Sequence, residues 1–312
     1  MPFLFAGLLA AMPLSPEERA LAYLCREVPA WSIRNKCYSC HNNGSGARAL
    51  YTAHRLGYRI AEPALADNTK WLARPAAWDK NGGDDEFNDR DLARLQFALA
   101  LLDANAAGYL QDRQPLNDVA SAIAGRQSSD GCWSIGPDGD IGSPTTLGRT
   151  VATAEARRLL EQVDPDRYRD AIRRAEAWLA RRSVRTVDHA AVALATPAQR
   201  EACLEVLHKG ESKDGGWGPY VNASPEPFDT ALVLLALSRL PRTAETTQWM
   251  RRGRSYLLRT QRPDGSWEET TRPPGAESYA ERISTAGWAT RALLATRPEA
   301  SGVSPRRPRT AR

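Results

Sequence analysis

Hydrophobic positions along the chain fall into two alternating helical patterns. One pattern is amphipathic and rich in Arg, as in residues 168–182, and predicts a helix with one solvent face. The other is poor in charge and rich in Ala and Leu. It occupies residues 47–56, 91–102, 147–160, 187–195, 229–240 and 285–295. The segment ALVLLALSRL is apolar nearly all round, which marks a buried helix rather than a surface one. No run reads as a β-strand. The chain therefore reads as an outer helix, a turn and an inner helix, repeated about six times.

The turns carry the repeat in its sharpest form. Residues 252–267, RGRSYLLRTQRPDGSW, end a helix at Gln261, turn through Pro263-Asp264-Gly265 and deliver Trp267. Pro presets φ, Asp can bond its own backbone and Gly accepts positive φ. The same turn recurs as Gln127…Asp130-Gly131-Cys132-Trp133 and as Glu211…Asp214-Gly215-Gly216-Trp217, with Glu in the Gln position. The helical half recurs at Arg19-Ala20…Tyr23-Leu24 and Arg174-Ala175…Trp178-Leu179, and more weakly at Trp71-Leu72. Hairpins that cannot bury their apolar faces alone stack on one another. Inner helices with no polar face predict that the stack closes on itself.

Residues 252–267 resemble the QW motif of squalene–hopene and oxidosqualene cyclases. Phe228-Asp229-Thr230-Ala231-Leu232 and Ser284-Thr285-Ala286-Gly287-Trp288 resemble the second helices of the same proteins. The resemblance covers most of residues 15–297. It implies the all-α, α/α-toroid fold shared by terpenoid cyclases and protein prenyltransferases. It also implies that Gln127, Trp133, Trp217, Gln261 and Trp267 tie neighbouring helices together, with Glu211 a departure.

Composition bounds the picture. A chain of 312 residues, 42% hydrophobic, can bury one large core. The net charge of +5 owes much to the tail 298–312, where Arg306, Arg307, Arg309 and Arg312 sit among Pro and Ser. The composition predicts a disordered tail. Without it the chain is near neutral, so nucleic acid is not an expected partner. No apolar run reaches the ~20 residues of a membrane-spanning helix. Residues 1–14 read either as a secretory leader lacking its basic start or as a short apolar extension.

One further string carries chemistry. Cys37-Tyr38-Ser39-Cys40-His41 has the CxxCH spacing of c-type haem attachment, with two thiols for the macrocycle and an adjacent imidazole for iron. Asn42-Asn43-Gly44 predicts a tight turn after it. Zinc on Cys37, Cys40 and His41 and a redox dithiol are the alternatives; a structural zinc site needs a fourth ligand, and no second CxxC or HxxxH exists. Covalent haem attachment and the apolar N-terminus together predict an extracytoplasmic, periplasmic-type location and a redox partner.

In such a ring the inner-helix N-termini share one rim. The residues there are His41, Asp89 and Asp91, Thr145 and Thr146, Asp188 and His189, Asp229, and Ser284. Asp, Ser and Thr are ordinary N-caps at these positions. Asp91 and Asp229 are the catalytic candidates. Six-fold placement sets His189 across the ring from His41, as a second iron ligand. His54 lies ~20 Å along the helix from His41 and is excluded from that role. The resemblance also implies activities that the residues do not complete. Class II cyclases protonate substrate with a DxDD motif, and Asp138-Gly139-Asp140 and Asp89-Arg90-Asp91 do not match it. Prenyltransferases hold zinc with Asp, Cys and His in an order absent here. Such cyclases also place the active site between two domains, and this chain has room for one. Three functions follow as expectations: a haem redox protein, an isoprenoid or triterpene cyclase-like enzyme, and a non-catalytic binding scaffold.

Overall fold

A computed structural model describes residues 13–82, 89–135 and 141–298. The apolar stretch 2–11, the string Asp138-Gly139-Asp140 and the tail 299–312 lie outside the described residues. Twelve α-helices form six hairpins. The outer helices are α1 (Pro16–Asn35), α3 (Pro63–Leu72), α5 (Gln114–Ala124), α7 (Arg169–Arg181), α9 (Arg200–Gly210) and α11 (Ala244–Thr260). The inner helices are α2 (Ala47–Arg55), α4 (Arg90–Ala106), α6 (Gly148–Val163), α8 (Val187–Ala193), α10 (Pro227–Leu237) and α12 (Tyr279–Ala295). Each inner helix packs on the next, and α12 packs back on α2. The ring is closed, and among the described residues no strand interrupts it.

The two helix classes bury surface as their patterns require. In α7, Ala171, Ala175, Trp178 and Leu179 point inward while its arginines face water. In α10 every residue from Pro227 to Leu235 is buried. At ~25 cal/mol per Å2 of apolar area, the inner ring supplies most of the driving force for folding.

The repeated turns fasten neighbouring units by one scheme. The indole N–H of Trp133, Trp217 and Trp267 donates to the carbonyl ten residues earlier, in Ile123, Leu207 and Leu257, each at 2.8 Å. Gly131, Gly215 and Gly265 have φ of +101°, +84° and +95°. A Cβ on them would lie 2.4, 2.8 and 2.2 Å from the carbonyl oxygens of Arg174, Arg252 and Arg19 in the next outer helix. Gln127 and Gln261 each take a guanidinium from that helix, Arg174 and Arg19 respectively. Glu211 keeps the scheme with an ion pair to Arg252 at 2.9 Å.

Helix α1 runs past Pro29 to Asn35, because Val28 is buried and neighbouring side chains cap its carbonyls. Asn42 donates to the Glu27 carbonyl and Asn43 to the Val28 carbonyl. Residues Cys40–Gly46 form a π-helix that leads straight into α2, in place of a tight turn at Asn42-Asn43-Gly44. The Ser39 hydroxyl caps it by accepting from the backbone N–H groups of His41 and Asn42. Helix α12 starts six residues before 285, since Ser278 caps it by accepting from the Glu281 N–H.

Candidate functional site

The rim of inner-helix N-termini gathers some of the residues singled out above and separates others. Asp89 caps α4 by accepting from the N–H groups of Asp91 and Leu92. Asp91 is a partly exposed ion-pair residue, bound to Arg94 at 2.8 Å and Arg126 at 3.2 Å. Thr145 donates to Glu281 at 2.7 Å and its carbonyl accepts from Gln96 at 2.6 Å. Thr146 bonds Ser143 in the same loop. His54 lies in the last turn of α2, edge-on to Tyr109.

Cys37, Cys40 and His41 line one pocket of about 350 Å3, walled by Trp31, Tyr38, Phe97 and Tyr279. His41 Nδ1 lies 3.4 Å from the Ser284 hydroxyl, and Cys40 Sγ lies 3.5 Å from His41 Nε2. Burial pushes the imidazole down to about 4 and the Cys40 thiol up to about 12, so both are neutral at pH 7. A covalent haem needs its thioether sulfur at the macrocycle edge and its imidazole nitrogen at the centre. Sulfur and nitrogen in mutual contact do not meet that requirement. His189 is buried at the start of α8 and does not line this pocket. Among the described residues no three His, Cys, Asp or Glu side chains converge as a metal site would require.

Asp229 stands apart from the other rim carboxylates. It is fully buried at the first turn of α10. Arg272 donates to its Oδ2 at 2.8 Å, and Oδ1 has no hydrogen-bond partner. Burial drives Asp229 well above the usual carboxylate range. Arg272 opposes that shift, but it also serves Glu226, and Asp188 adds a further negative charge.

A chamber of about 300 Å3 lies beneath this rim, between α6, α8, α10 and α12. Val151, Ala191, Leu232, Leu235 and Trp288 form its apolar wall. Asp229 is three residues before Leu232, ~4.5 Å along the axis and on the same face of α10. Asp188 on α8 and Ser284 on α12 hold equivalent places, three and four residues before Ala191 and Trp288. Asp229 lies one helical turn from the chamber lining and is not part of it; Glu161, Gln162 and Arg239 of the lining are exposed.

Glu155 and Arg158 of the chamber lining belong to an ionic cluster that sequence reasoning missed. Arg48 bonds Asp103 at 2.8 Å and Glu155 at 2.9 Å; Arg158 bonds Glu155 at 3.1 Å. Burial alone would raise Glu155, yet Arg158 and Arg48 hold it well below the usual range. Arg291, also buried, stacks on Trp288 at 4.9 Å. The signal was present as isolated charges inside Ala- and Leu-rich helices, where nothing but a partner on another helix justifies them.

No protein-family model matches the sequence, and no curated protein matches it. Solved structures do. The R337A variant of MstE from Scytonema, a type II terpene cyclase with geranylgeranyl dihydroxybenzoate as substrate, is 15% identical. The alignment covers 91% of this chain and 99% of that one, with a TM-score of 0.54. Substrate-free MstE is 16% identical, over 88% and 98% of the two chains, with a TM-score of 0.53. A protein from Actinoplanes is 16% identical, over 90% and 98%, with a TM-score of 0.58. At these identities the likeness establishes the shared α/α-toroid fold. The Scytonema cyclase is matched over nearly its whole length by this single ring, so it does not carry the second domain that the resemblance implied.

Proposed function

We propose that the protein binds an isoprenoid-type hydrocarbon in the chamber beneath Asp229 and that Asp229 protonates it, as a cyclase-like enzyme. The observation that carries this reading is the buried carboxyl itself: raised in pKa, with one oxygen unpartnered, one helical turn from an apolar chamber. A proton leaving Asp229 would add to an alkene carbon, and the resulting cation would be attacked by a second double bond. Loss of a proton from the cyclised cation would end the reaction, so the product is an isomer of the substrate. The apolar wall would keep water from intercepting the cation. The fold supports the reading through the Scytonema cyclase, whose substrate carries a geranylgeranyl chain.

Incubation with geranylgeraniol, squalene and geranylgeranyl dihydroxybenzoate, followed by mass spectrometry, tests it. A new product of unchanged mass, lost in Asp229→Asn, is the expected result. Absence of both binding and conversion for all three would overturn it, and binding without conversion would leave a scaffold. An exported haem protein using Cys37, Cys40, His41 and a redox partner is less well supported, given the sulfur–imidazole contact. A visible absorption spectrum after expression with a haem-maturation system decides that reading.

A further inference from the structure

The pocket at Cys37, Cys40 and His41 is separate from the chamber near Asp229, and the two share no lining residue. Its lining among the described residues contains no Asp, Glu, Lys or Arg. The Cys40 thiol and the His41 imidazole are neutral as well. Two carboxylates are bonded to the wall without lining it. Asp67 accepts from the Tyr38 hydroxyl at 2.7 Å, and Glu27 accepts from the Tyr279 hydroxyl at 3.0 Å. The wall is held in place by its own contacts. Tyr38 stacks on Trp71 with ring centroids 4.3 Å apart, and Trp31 stacks on Tyr279 at 5.9 Å. The Tyr38 backbone N–H donates to Asn81 at 2.8 Å, and its carbonyl accepts from the same amide at 2.6 Å. Phe97 packs on both Trp71 and Trp78. A cavity fixed in this way loses little freedom when it is filled.

Asn42 gives this apolar pocket a polar point. The residue is fully buried and belongs to the lining. Its Nδ2 donates to the Glu27 carbonyl at 2.8 Å and to the Tyr279 hydroxyl at 3.0 Å. Both amide protons are thereby engaged, so the amide cannot turn over without losing two bonds. Oδ1 is left as a buried acceptor with no partner. A buried oxygen in that state is a standing cost that a donor would remove. The indole N–H of Trp31, another lining residue, is likewise buried without an acceptor.

We propose that this pocket is a second small-molecule site, for an uncharged aromatic compound whose N–H or O–H donates to Asn42 Oδ1. The flat rings of Trp31, Tyr38, Phe97 and Tyr279 suit a planar apolar body. A charged ligand would enter a lining that holds no counterion. The volume of about 350 Å3 suits a compound of one or two rings. The assignment is independent of the reaction proposed for Asp229.

Calorimetric titration of the reduced full chain with indole, 1-methylindole and indole-3-acetate tests the assignment. Indole should bind. 1-Methylindole keeps the ring and lacks the donor, so it should bind about tenfold more weakly. The anion should also bind more weakly than indole. Ala93→Phe sets a ring into the pocket from α4 and should abolish indole binding while the circular dichroism spectrum stays that of the native chain. Asn42→Leu removes the acceptor and should make indole and 1-methylindole bind alike. If that variant does not fold, the comparison of the two indoles on the native chain decides the role of Asn42. Indole that binds Ala93→Phe as before sits elsewhere and overturns the site. Equal affinity of the native chain for indole and 1-methylindole overturns the donor to Asn42, and tighter binding of the anion overturns the uncharged class. No binding of indole overturns the proposal as a whole.

Discussion

Gln261 donates a hydrogen bond from Nε2 to the carbonyl oxygen of Pro16 at 2.9 Å, across 245 residues of sequence. Its Oε1 accepts from Arg19 at 2.8 Å. One side chain therefore joins the last outer helix to the first. Gln261→Ala should lower stability by about 1–2 kcal/mol, the worth of hydrogen bonds that include a charged donor. Urea denaturation measures it, and an unchanged midpoint would mean that apolar packing alone closes the ring.

Gly265→Ala should damage the same joint more severely. The residue has φ of +95°, and its new Cβ would lie 2.2 Å from the Arg19 carbonyl oxygen. Strain at a left-handed non-glycine residue costs about 1–3 kcal/mol, and the clash with backbone adds to it. A thermal melt matching the wild type would show that α1 can retreat without loss.

Trp267 has no exposed surface and bonds the Leu257 carbonyl. Trp267→Ala removes the largest side chain at this joint, and the expected loss is about 3–5 kcal/mol. Chemical denaturation monitored by circular dichroism checks the figure; a change within error would contradict the burial.

The ionic cluster predicts acid sensitivity. The pKa values of Glu155 and Asp103 are depressed in the folded chain although burial pushes both upward, because Arg48 and Arg158 outweigh it. A group depressed by folding contributes stability above its unfolded value, 4.5 for Glu155, and that stability is lost as pH falls below it. Stability should therefore decline below about pH 4.5, and part of the decline should vanish in Glu155→Gln. That variant should also cost about 3–5 kcal/mol at pH 7, since it leaves two guanidiniums short of a carboxylate.

Asp229 predicts the opposite sense for activity. Burial raises its pKa, which favours the acid form required for protonation, and that form is lost as pH rises through the raised value. Under the proposed reaction, product formation should fall on the alkaline limb with Asp229 as its source. A rate that rises steadily with pH would exclude it as the proton donor.

Much of the ring was legible because its cues are local. A Gly that must take positive φ, a Trp two residues later and a Gln or Glu before them announce each turn from Gln127 to Trp267 without reference to any partner. The inner helices were equally plain, since a segment apolar on every side, such as 229–237, has only one place to go. The start of α12 was obscured because Ser284 and Thr285 look like a cap, whereas the true cap is Ser278. Asp229 was legible as a rim residue and a catalytic candidate, but not as a buried one. Its burial depends on α8, α12 and Arg272, forty-three residues away. Arg48, Asp103 and Glu155 were illegible as a cluster for the same reason, being spread over three helices. Cys37, Cys40 and His41 show the reverse case: the spacing is clear, but what it can hold depends on side-chain directions that spacing does not specify.

The packing of α12 on α2 has a consequence for how the chain reaches its final form. A linear stack of hairpins can lose an end unit and keep the remainder, because each unit leans on one neighbour at a time. Here every unit has two neighbours, and α2, made early in synthesis, waits for α12 as its second. Chain elongation up to residue 278 leaves apolar faces of α2 and α10 open together. The ribosome-bound chain is therefore unfinished until its final helix emerges, and folding becomes a late, cooperative event. Fragments that stop short of Tyr279 should collect with chaperones or aggregate rather than persist as smaller rings.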